Sequence, residues 1–243
     1  MTEYGASTYG DTIAQVYDEW FGAGDPSPIV HRLAALAGDG RALELAIGTG
    51  RIALPLKELG VEVVGIDASE AMIERLRKKP GGEDIPVHVG DFADVDVEGE
   101  FDLVFIVFNT FFALLRQDDQ IRCLQNVAEH LTEDGVFVIE AFVPNLSRFH
   151  EGQRVGAMRV ESDRVVLEVS HHRPVEQRVD STLVALSSKG VELFPLRIRY
   201  CWPSELDLMA RVAGLELRSR WGGWNEEPFT AGSGMHVSVY RRR

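Results

Sequence analysis

The sequence predicts an α/β protein in which a doubly wound, mostly parallel seven-stranded sheet carries a β-rich antiparallel insertion after its fifth strand. Three observations point there. From Arg41 to Ala141 short apolar runs alternate with segments of helical period, which is how a parallel sheet covered by helices reads in one dimension. After Pro144-Asn145 the runs turn β-rich and alternating, separated by short turns such as Ser188-Lys189-Gly190. Helical period returns only at Ser204 to Ala213, and a strand pair closes the chain.

In order, residues 1–40 form a helical cap, Ala42 to Ile47 the first strand, and Ile52 to Leu59 a helix. Val61 to Ile66 is the second strand and ends at Asp67. Ser69 offers its hydroxyl as a helix N-cap, Met72, Ile73 and Leu76 share one face, and Pro80-Gly81-Gly82 stops that helix. Val87 to Val89 and Leu103 to Phe108 are the third and fourth strands. Gln120 to Leu131 is an amphipathic helix and Val136 to Ala141 the fifth strand. In the insertion, Arg159 to Ser170, Arg178 to Leu186 and Val191 to Trp202 suggest an antiparallel meander. Ser204 caps the last helix, and Leu215 to Arg220 pairs with His236 to Tyr240. The expected division is a core over 41–144 and 203–243, with a lid over 145–202.

Charge narrows the function classes. The 243 residues hold 38 Asp+Glu against 25 Lys+Arg, a formal net charge of −13 that would repel a phosphate backbone. Cys123 and Cys201 have no metal or redox spacing and read as reduced thiols. Met1 to Asp11 lacks the basic and apolar regions of a signal peptide, and the apolar stretch Leu103 to Leu115 is too short to span a bilayer. The expectation is a soluble, cytoplasmic monomer or homodimer with no nucleic-acid or membrane partner and no metal.

Glycine and acid spacing point to a nucleotide-like ligand. Glu44-Leu45-Ala46-Ile47-Gly48-Thr49-Gly50 lies where a strand gives way to a helix, so missing side chains let a ligand approach backbone amides. Asp67, closing the next strand, is placed to accept from ribose hydroxyls. Asp91, in Val89-Gly90-Asp91-Phe92, follows the third strand, where an acid and an aromatic can meet the amine and face of an adenine. Each acid has a plainer alternative: a strand-end charge for Glu44, a helix cap for Asp67, a turn acceptor for Asp91.

Together these stretches resemble the class I S-adenosylmethionine-dependent methyltransferases. The Glu44–Gly50 run is similar to their first motif, Val64-Gly65-Ile66-Asp67 to the second, and Val89-Gly90-Asp91-Phe92 to the third. Phe101-Asp102-Leu103-Val104 resembles their fourth strand and Leu131-Thr132-Glu133-Asp134-Gly135-Val136 the approach to the fifth. The likeness covers residues 10–142 well and the rest loosely, and it departs at Ala46, where the family usually has glycine. It implies a Rossmann-like methyltransferase fold, S-adenosyl-L-methionine as cofactor, and transfer of a methyl group to the nitrogen or oxygen of a small metabolite by in-line displacement. It also implies cofactor contacts. Gly48 and Gly50 would line the amino-acid end, with Glu44, Ala46 and Arg51 beside them; Asp67 would hold the ribose diol; Ala68 and Met72 would border the adenine; and Asp91 and Phe92, with Gly90, would read the base. Phe108 and Asn109 would face the methionine portion, and Tyr17 would belong to a segment folding over the cofactor. The layout is similar to methyltransferases acting on amino sugars and other small natural-product scaffolds. A nicotinamide dehydrogenase fits Gly48, Gly50 and Ala53 formally but lacks a Tyr-x-x-x-Lys relay, and a cofactor-binding cyclase or binding module is the remaining alternative.

Methyl transfer asks for alignment in a dry site, plus a base where the acceptor must lose a proton. Glu140, His171, His172 and His236 are the candidate bases. His171 and His172 point to opposite faces of a strand and do not make a metal pair. Phe112, Arg199, Tyr200 and Trp224 are candidate acceptor contacts; an inward Arg199 would favour an acidic acceptor.

Overall fold

A computed structural model describes residues 4–243, so the first three positions of the expected cap lie outside the described residues. Two helices, α1 (Thr8–Phe21) and α2 (Ser27–Ala37), precede β1 (Arg41–Leu45), α3 (Ala53–Glu58), β2 (Glu62–Asp67) and α4 (Glu70–Arg77). Then come β3 (Val87–Val89), β4 (Phe101–Ile106), α5 (Gln117–His130) and β5 (Leu131–Phe142). A second group, β6 (Gln153–Val160), β7 (Arg164–Arg173), β8 (Arg178–Ser187) and β9 (Gly190–Arg199), leads into α6 (Pro203–Val212), β10 (Leu215–Trp221) and β11 (Met235–Arg242).

The large sheet has seven strands in the order β10-β11-β5-β4-β1-β2-β3. β1 to β5 run parallel, and β11 enters antiparallel between β5 and β10. The strand order reverses between β1 and β4, which opens a crevice beyond their carboxyl ends. Helices bury both faces. On one, Val30, Leu33 and Leu56 from α2 and α3 pack on Leu103, Phe105 and Val138. On the other, Leu124, Val127, Leu206 and Met209 from α5 and α6 pack on Val104, Ile106 and Phe137. No helix among the described residues is long and apolar enough to cross a membrane.

The small sheet, β6-β7-β8-β9, is the antiparallel insertion. Its inner face closes on α1: Ile13, Ala14 and Trp20 meet Val166, Leu183 and Phe194, with Met72 of α4 in the same cluster. Glu19 binds the helix to this sheet by an ion pair with Arg164 and through its carbonyl, which accepts from Arg159 at 2.8 Å.

Several expected boundaries move. Arg159 to Ser170 is not one strand, because the turn Glu161-Ser162-Asp163 splits it between β6 and β7. β5 begins at Leu131 rather than Val136, since Leu131 pairs with Phe101 across an irregular register. Ser69 caps α4 as its type suggests, accepting from the Met72 N–H at 3.2 Å. Ser204 does not cap α6: the N-cap is Trp202 without a side-chain bond, and Pro203 starts the helix where its missing N–H costs nothing.

Candidate active site

Both strands at the reversal end in backbone that glycine would adopt more readily. After β1, Ala46 sits at φ +57°, and after β4 Phe108 and Asn109 sit at φ +60° and +63°. A side chain in that region costs about 1–2 kcal/mol, so neighbouring bonds must hold it there. Glu140 Oε2 accepts from the Phe108 N–H at 3.0 Å, and the Glu140 carbonyl accepts from the Asn109 N–H at 3.3 Å. Asn109 Oδ1 in turn accepts from the Phe142 N–H at 2.6 Å. Glu140 and Asn109 therefore build the turn after β4, which corrects the expectation of a base at one and a cofactor contact at the other.

Beyond the strand ends lies a cavity of about 350 Å³. Its floor is Ala46, Gly48, Asp67 and Ala68, and its flank is Met72, Asp91 and Phe92. Asp67 Oδ2 accepts from the Gly48 N–H at 2.7 Å and Oδ1 from the Ser69 N–H at 2.8 Å, so the acid also organises the turn leading into α4. Burial raises its pKa, and these two amides pull against that rise. Asp91 Oδ1 accepts from the Ala93 N–H at 2.9 Å while the residue still faces the cavity. A recess of about 30 Å³ adjoins the floor, lined by Tyr17, Glu44, Arg51 and Phe108. Glu44 is 3% exposed, and its Oε2 has no hydrogen-bond partner. Burial pushes that carboxyl well above its usual pKa, against the pull of the Arg51 charge. The guanidinium of Arg51 lies 4.5 Å over the Phe108 ring. Acids from three strand ends thus face one connected hollow, two in the cavity and one in the recess.

α1 roofs this hollow with Tyr9, Gly10 and Tyr17. Two polar ties hold it down. Asp11 accepts from the Ser69 hydroxyl at 2.7 Å, and Asp18 accepts from the Thr49 hydroxyl at 2.6 Å and from Lys79 at 2.9 Å. Thr110 and Leu114 from the loop after β4, and Leu196 from β9, complete the wall, with Arg116 and Asp119 at the start of α5.

The other expected site residues lie elsewhere. Gly50, at φ +76°, has its place because a Cβ would come 2.3 Å from Leu76 Cδ1; it packs α3 against α4 and is off the wall. The Gly90 N–H is taken by the Asp67 carbonyl at 2.9 Å. Phe112 is fully buried against Phe142 in the core. Trp224 packs with α2 and the far strands, away from the cavity. Arg199, only 7% exposed, pairs with Glu205 at 2.8 Å and donates to Gln120 at 2.6 Å, so it ties the small sheet to α5 and α6 and faces no acceptor. Tyr200 shares a 2.9 Å hydrogen bond with His172 Nε2, whose ring stacks on Phe149 at 5.0 Å. Burial and the neighbouring His171 hold the His172 pKa down. His171 is exposed on the opposite face. His236 is buried, shares a 2.8 Å hydrogen bond with the Ser238 hydroxyl, and is held down to about 4 by burial and the Arg220 charge. None of the four candidate bases lines the cavity.

Sequence reading missed Tyr4, Tyr9, Thr110 and Leu196. Tyr9 had a signal, since it falls on the same helical stripe as Ile13 and Tyr17. Tyr4 and Leu196 arrive only through tertiary packing.

Comparison with known proteins agrees with this geometry. Residues 42–135 match the family model described as a methyltransferase domain. A cypemycin N-terminal methyltransferase from Streptomyces sp is 31% identical over 207 residues, covering 84% of each chain. A dTDP-4-amino-2,3,4,6-tetradeoxy-D-glucose N,N-dimethyltransferase from Saccharopolyspora spinosa is 29% identical over 68% of each chain. The solved structure of the CcbJ methyltransferase from Streptomyces caelestis superposes with a TM-score of 0.93 at 43% identity, covering 98% of this chain and 99% of that one.

Proposed function

The chain belongs to the class I S-adenosylmethionine-dependent methyltransferases, with S-adenosylmethionine as cofactor, and from that premise we propose that it methylates the nitrogen of a small amine in the cavity at the strand ends. The observation that carries the choice of nitrogen is the pair Tyr9 and Tyr17. Both line the cavity, and neither hydroxyl is hydrogen-bonded to another described residue. Burial pushes both above the usual tyrosine range, so they stay protonated. Groups of this kind orient a nucleophile but do not deprotonate one. The neutral form of an amine brings its own lone pair, whereas an alcohol needs a base within hydrogen-bond reach; no histidine lines this cavity among the described residues, Asp67 and Asp91 are assigned to the cofactor, and Asp119 accepts from Arg122 at 2.9 Å. Two relatives are named for N-terminal and N,N-dimethyl transfer, which supports the same reading.

The residues fit the cofactor. The orphaned Glu44 Oε2 would accept from the amino-acid ammonium, and Arg51 in the same recess would meet the carboxylate. Asp67, whose amide bonds leave lone pairs free, would accept from the ribose hydroxyls. Asp91 and Phe92 would read the base, with Ala68 and Met72 beside it. At Gly48 a Cβ would have no neighbour nearer than 4.0 Å, so glycine keeps open the space that the cofactor takes. When bound, S-adenosylmethionine would supply an electrophilic methyl on a sulfonium that a nitrogen lone pair can take in line, leaving a neutral thioether and a methylated ammonium. The protein's own contribution is alignment and dryness. Tyr9 and Tyr17 hold the amine, α1 excludes water, and the small sheet, through Leu196, acts as a lid.

Two experiments test this. Calorimetry with S-adenosylmethionine should show binding that weakens at least tenfold in Asp67→Ala; an unchanged affinity would remove Asp67 from the ribose site. Mass spectrometry of products from matched amines and alcohols should show methyl gain only on amines. The kcat/KM pH profile should also move with the pKa of the amine used. Methylation of the alcohols alone would overturn the assignment to nitrogen.

A further inference from the structure

Two basic side chains from the end of α4 reach α1, and one of them also reaches the glycine turn after β1. Arg75 donates to the Gln15 carbonyl at 2.7 Å. Four residues on, just past the helix, Lys79 Nζ lies 2.9 Å from both carboxylate oxygens of Asp18 and donates to the Thr49 carbonyl at 2.8 Å. Asp18 Oδ1 accepts from the Thr49 hydroxyl at 2.6 Å, so groups from three separate segments close a ring. Lys78 next to it does nothing of the kind: it is exposed and lies 4.0 Å from Glu74 of its own helix. Thr49 is 1% exposed and sits between Gly48 at φ +58° and Gly50 at φ +76°, in the turn that lines the recess through Gly48 and Thr49. Glycine on both sides leaves that turn with little stiffness of its own. The Lys79 ammonium supplies it from outside the recess.

α1 is gripped differently on its two sides. Against the small sheet it buries Ile13, Ala14 and Trp20 with Val166, Leu183 and Phe194, and parting those would bring apolar surface into water. Against the glycine turn it is held by the Lys79 junction. The Lys79 and Asp18 side chains are 30% and 39% exposed, so water can take over their bonds as they break. Tyr17, the residue before Asp18, lines both the cavity and the recess. We propose that Lys79 is a positioning residue for S-adenosylmethionine: it clasps α1 to the glycine turn, and the strength of the clasp sets how long the cofactor stays. The inference rests on the recess taking the amino-acid end of the cofactor. That end then lies beneath the Tyr17 ring and leaves when α1 lifts from the turn.

Release is read directly by loading the full-length chain with radiolabelled S-adenosylmethionine, without acceptor, and chasing with excess unlabelled cofactor. Lys79→Met should raise the dissociation rate about five- to tenfold, through loss of charge-assisted bonds partly screened by water. Lys79→Arg, which keeps the cation, should stay within about twofold of wild type, as should Arg75→Met and Lys78→Met, which spare the glycine turn. Asp18→Asn keeps an acceptor for the Thr49 hydroxyl but loses the charge, and added to Lys79→Met it should speed release no further. Hydrogen exchange of the α1 amides in the cofactor-free chain should quicken in Lys79→Met and not in Lys78→Met, with far-UV circular dichroism unchanged. An unchanged dissociation rate in folded Lys79→Met overturns the proposal, as does an equal rise in Arg75→Met, which would make any tie on α1 sufficient. Undiminished cofactor affinity in Glu44→Gln would instead take the amino-acid end out of the recess, a failure of that placement and not of the clasp, which exchange in the cofactor-free chain reads separately.

Discussion

Arg199 offers the sharpest test of whether the small sheet is bolted to the core or presents a charge to the acceptor. Its guanidinium donates to Gln120 Oε1 at 2.6 Å, to Glu205 Oε1 at 2.8 Å and to Gln177 Oε1 at 3.3 Å. Glu205 also receives Gln117 and Gln177, each at 2.7 Å. Arg199→Met keeps much of the apolar stem and deletes the charge. It leaves Gln120 Oε1 buried without its donor and Glu205, 18% exposed at the side chain, without its cation. Removing one member of a buried pair costs about 3–5 kcal/mol, and the residual exposure of Glu205 puts this case near 3 kcal/mol. For a chain of this length that is a fall of roughly 6–12 °C in Tm. Arg197→Met, two residues earlier and exposed, should cost no more than about 0.5 kcal/mol. Arg199→Met/Glu205→Leu should recover most of the loss, because the unpaired carboxylate is what hurts. pH supplies a further check. Burial pushes Glu205 up, but the Arg199 and Gln177 bonds more than offset it and hold the pKa low. Its contribution is therefore complete above the unfolded carboxyl pKa and is lost as pH falls through the lower folded value. Arg199→Met should flatten that acid limb. Urea and thermal melts read all of this, with KM and kcat alongside. A loss under 1 kcal/mol combined with a raised acceptor KM would return Arg199 to the substrate.

Three further outcomes follow from the site. Glu44→Gln should weaken S-adenosylmethionine binding by about 10- to 100-fold, the worth of a charge-assisted hydrogen bond, while leaving thermal stability equal or higher, since it neutralises a buried acid whose Oε2 has no hydrogen-bond partner; calorimetry and a melt separate the two. His236 has a folded pKa of about 4, well below its unfolded value, so it contributes stability above about pH 6.5 that is lost between there and about pH 4. His236→Asn should flatten the Tm profile across that window by up to about 3 kcal/mol and leave the pH dependence of kcat unmoved, where a catalytic base would abolish it. Gly50→Ala should destabilise by about 1–3 kcal/mol through overpacking against Leu76 and a strained φ, with cofactor affinity in the folded fraction retained.

What could be read in the sequence follows from how local its cause is. The parallel strands announced themselves because burial on both faces makes each a continuous apolar run, and Ser69 did so because a cap acts three residues away. Asp67 and Asp91 lie where their strand ends place them, and no long-range partner is needed for that. Arg199 and His172 failed as site residues for the opposite reason. Alternation along β9 says only that Arg199 opposes Tyr200; it cannot say that Glu205 of the next helix waits for the arginine, or that Tyr200 reaches His172 from a different strand.

Glu140 shows how far a correct intuition about position can carry and where it fails. The end of β5 does lie near the crevice, as an acid there suggested. Yet β4 is followed by two residues at positive φ, Phe108 and Asn109, and something must accept from amides that the strand ladder can no longer pair. Glu140 Oε2 and its own carbonyl take those amides, and Asn109 repays β5 at the Phe142 N–H. The acid is thus spent on placing Phe108, whose ring supports Arg51 above the recess. Its influence on the chemistry passes through the shape of that recess, so Glu140→Gln, which keeps an acceptor for the Phe108 N–H, should leave the pH profile of kcat intact, whereas Glu140→Ala should weaken cofactor binding.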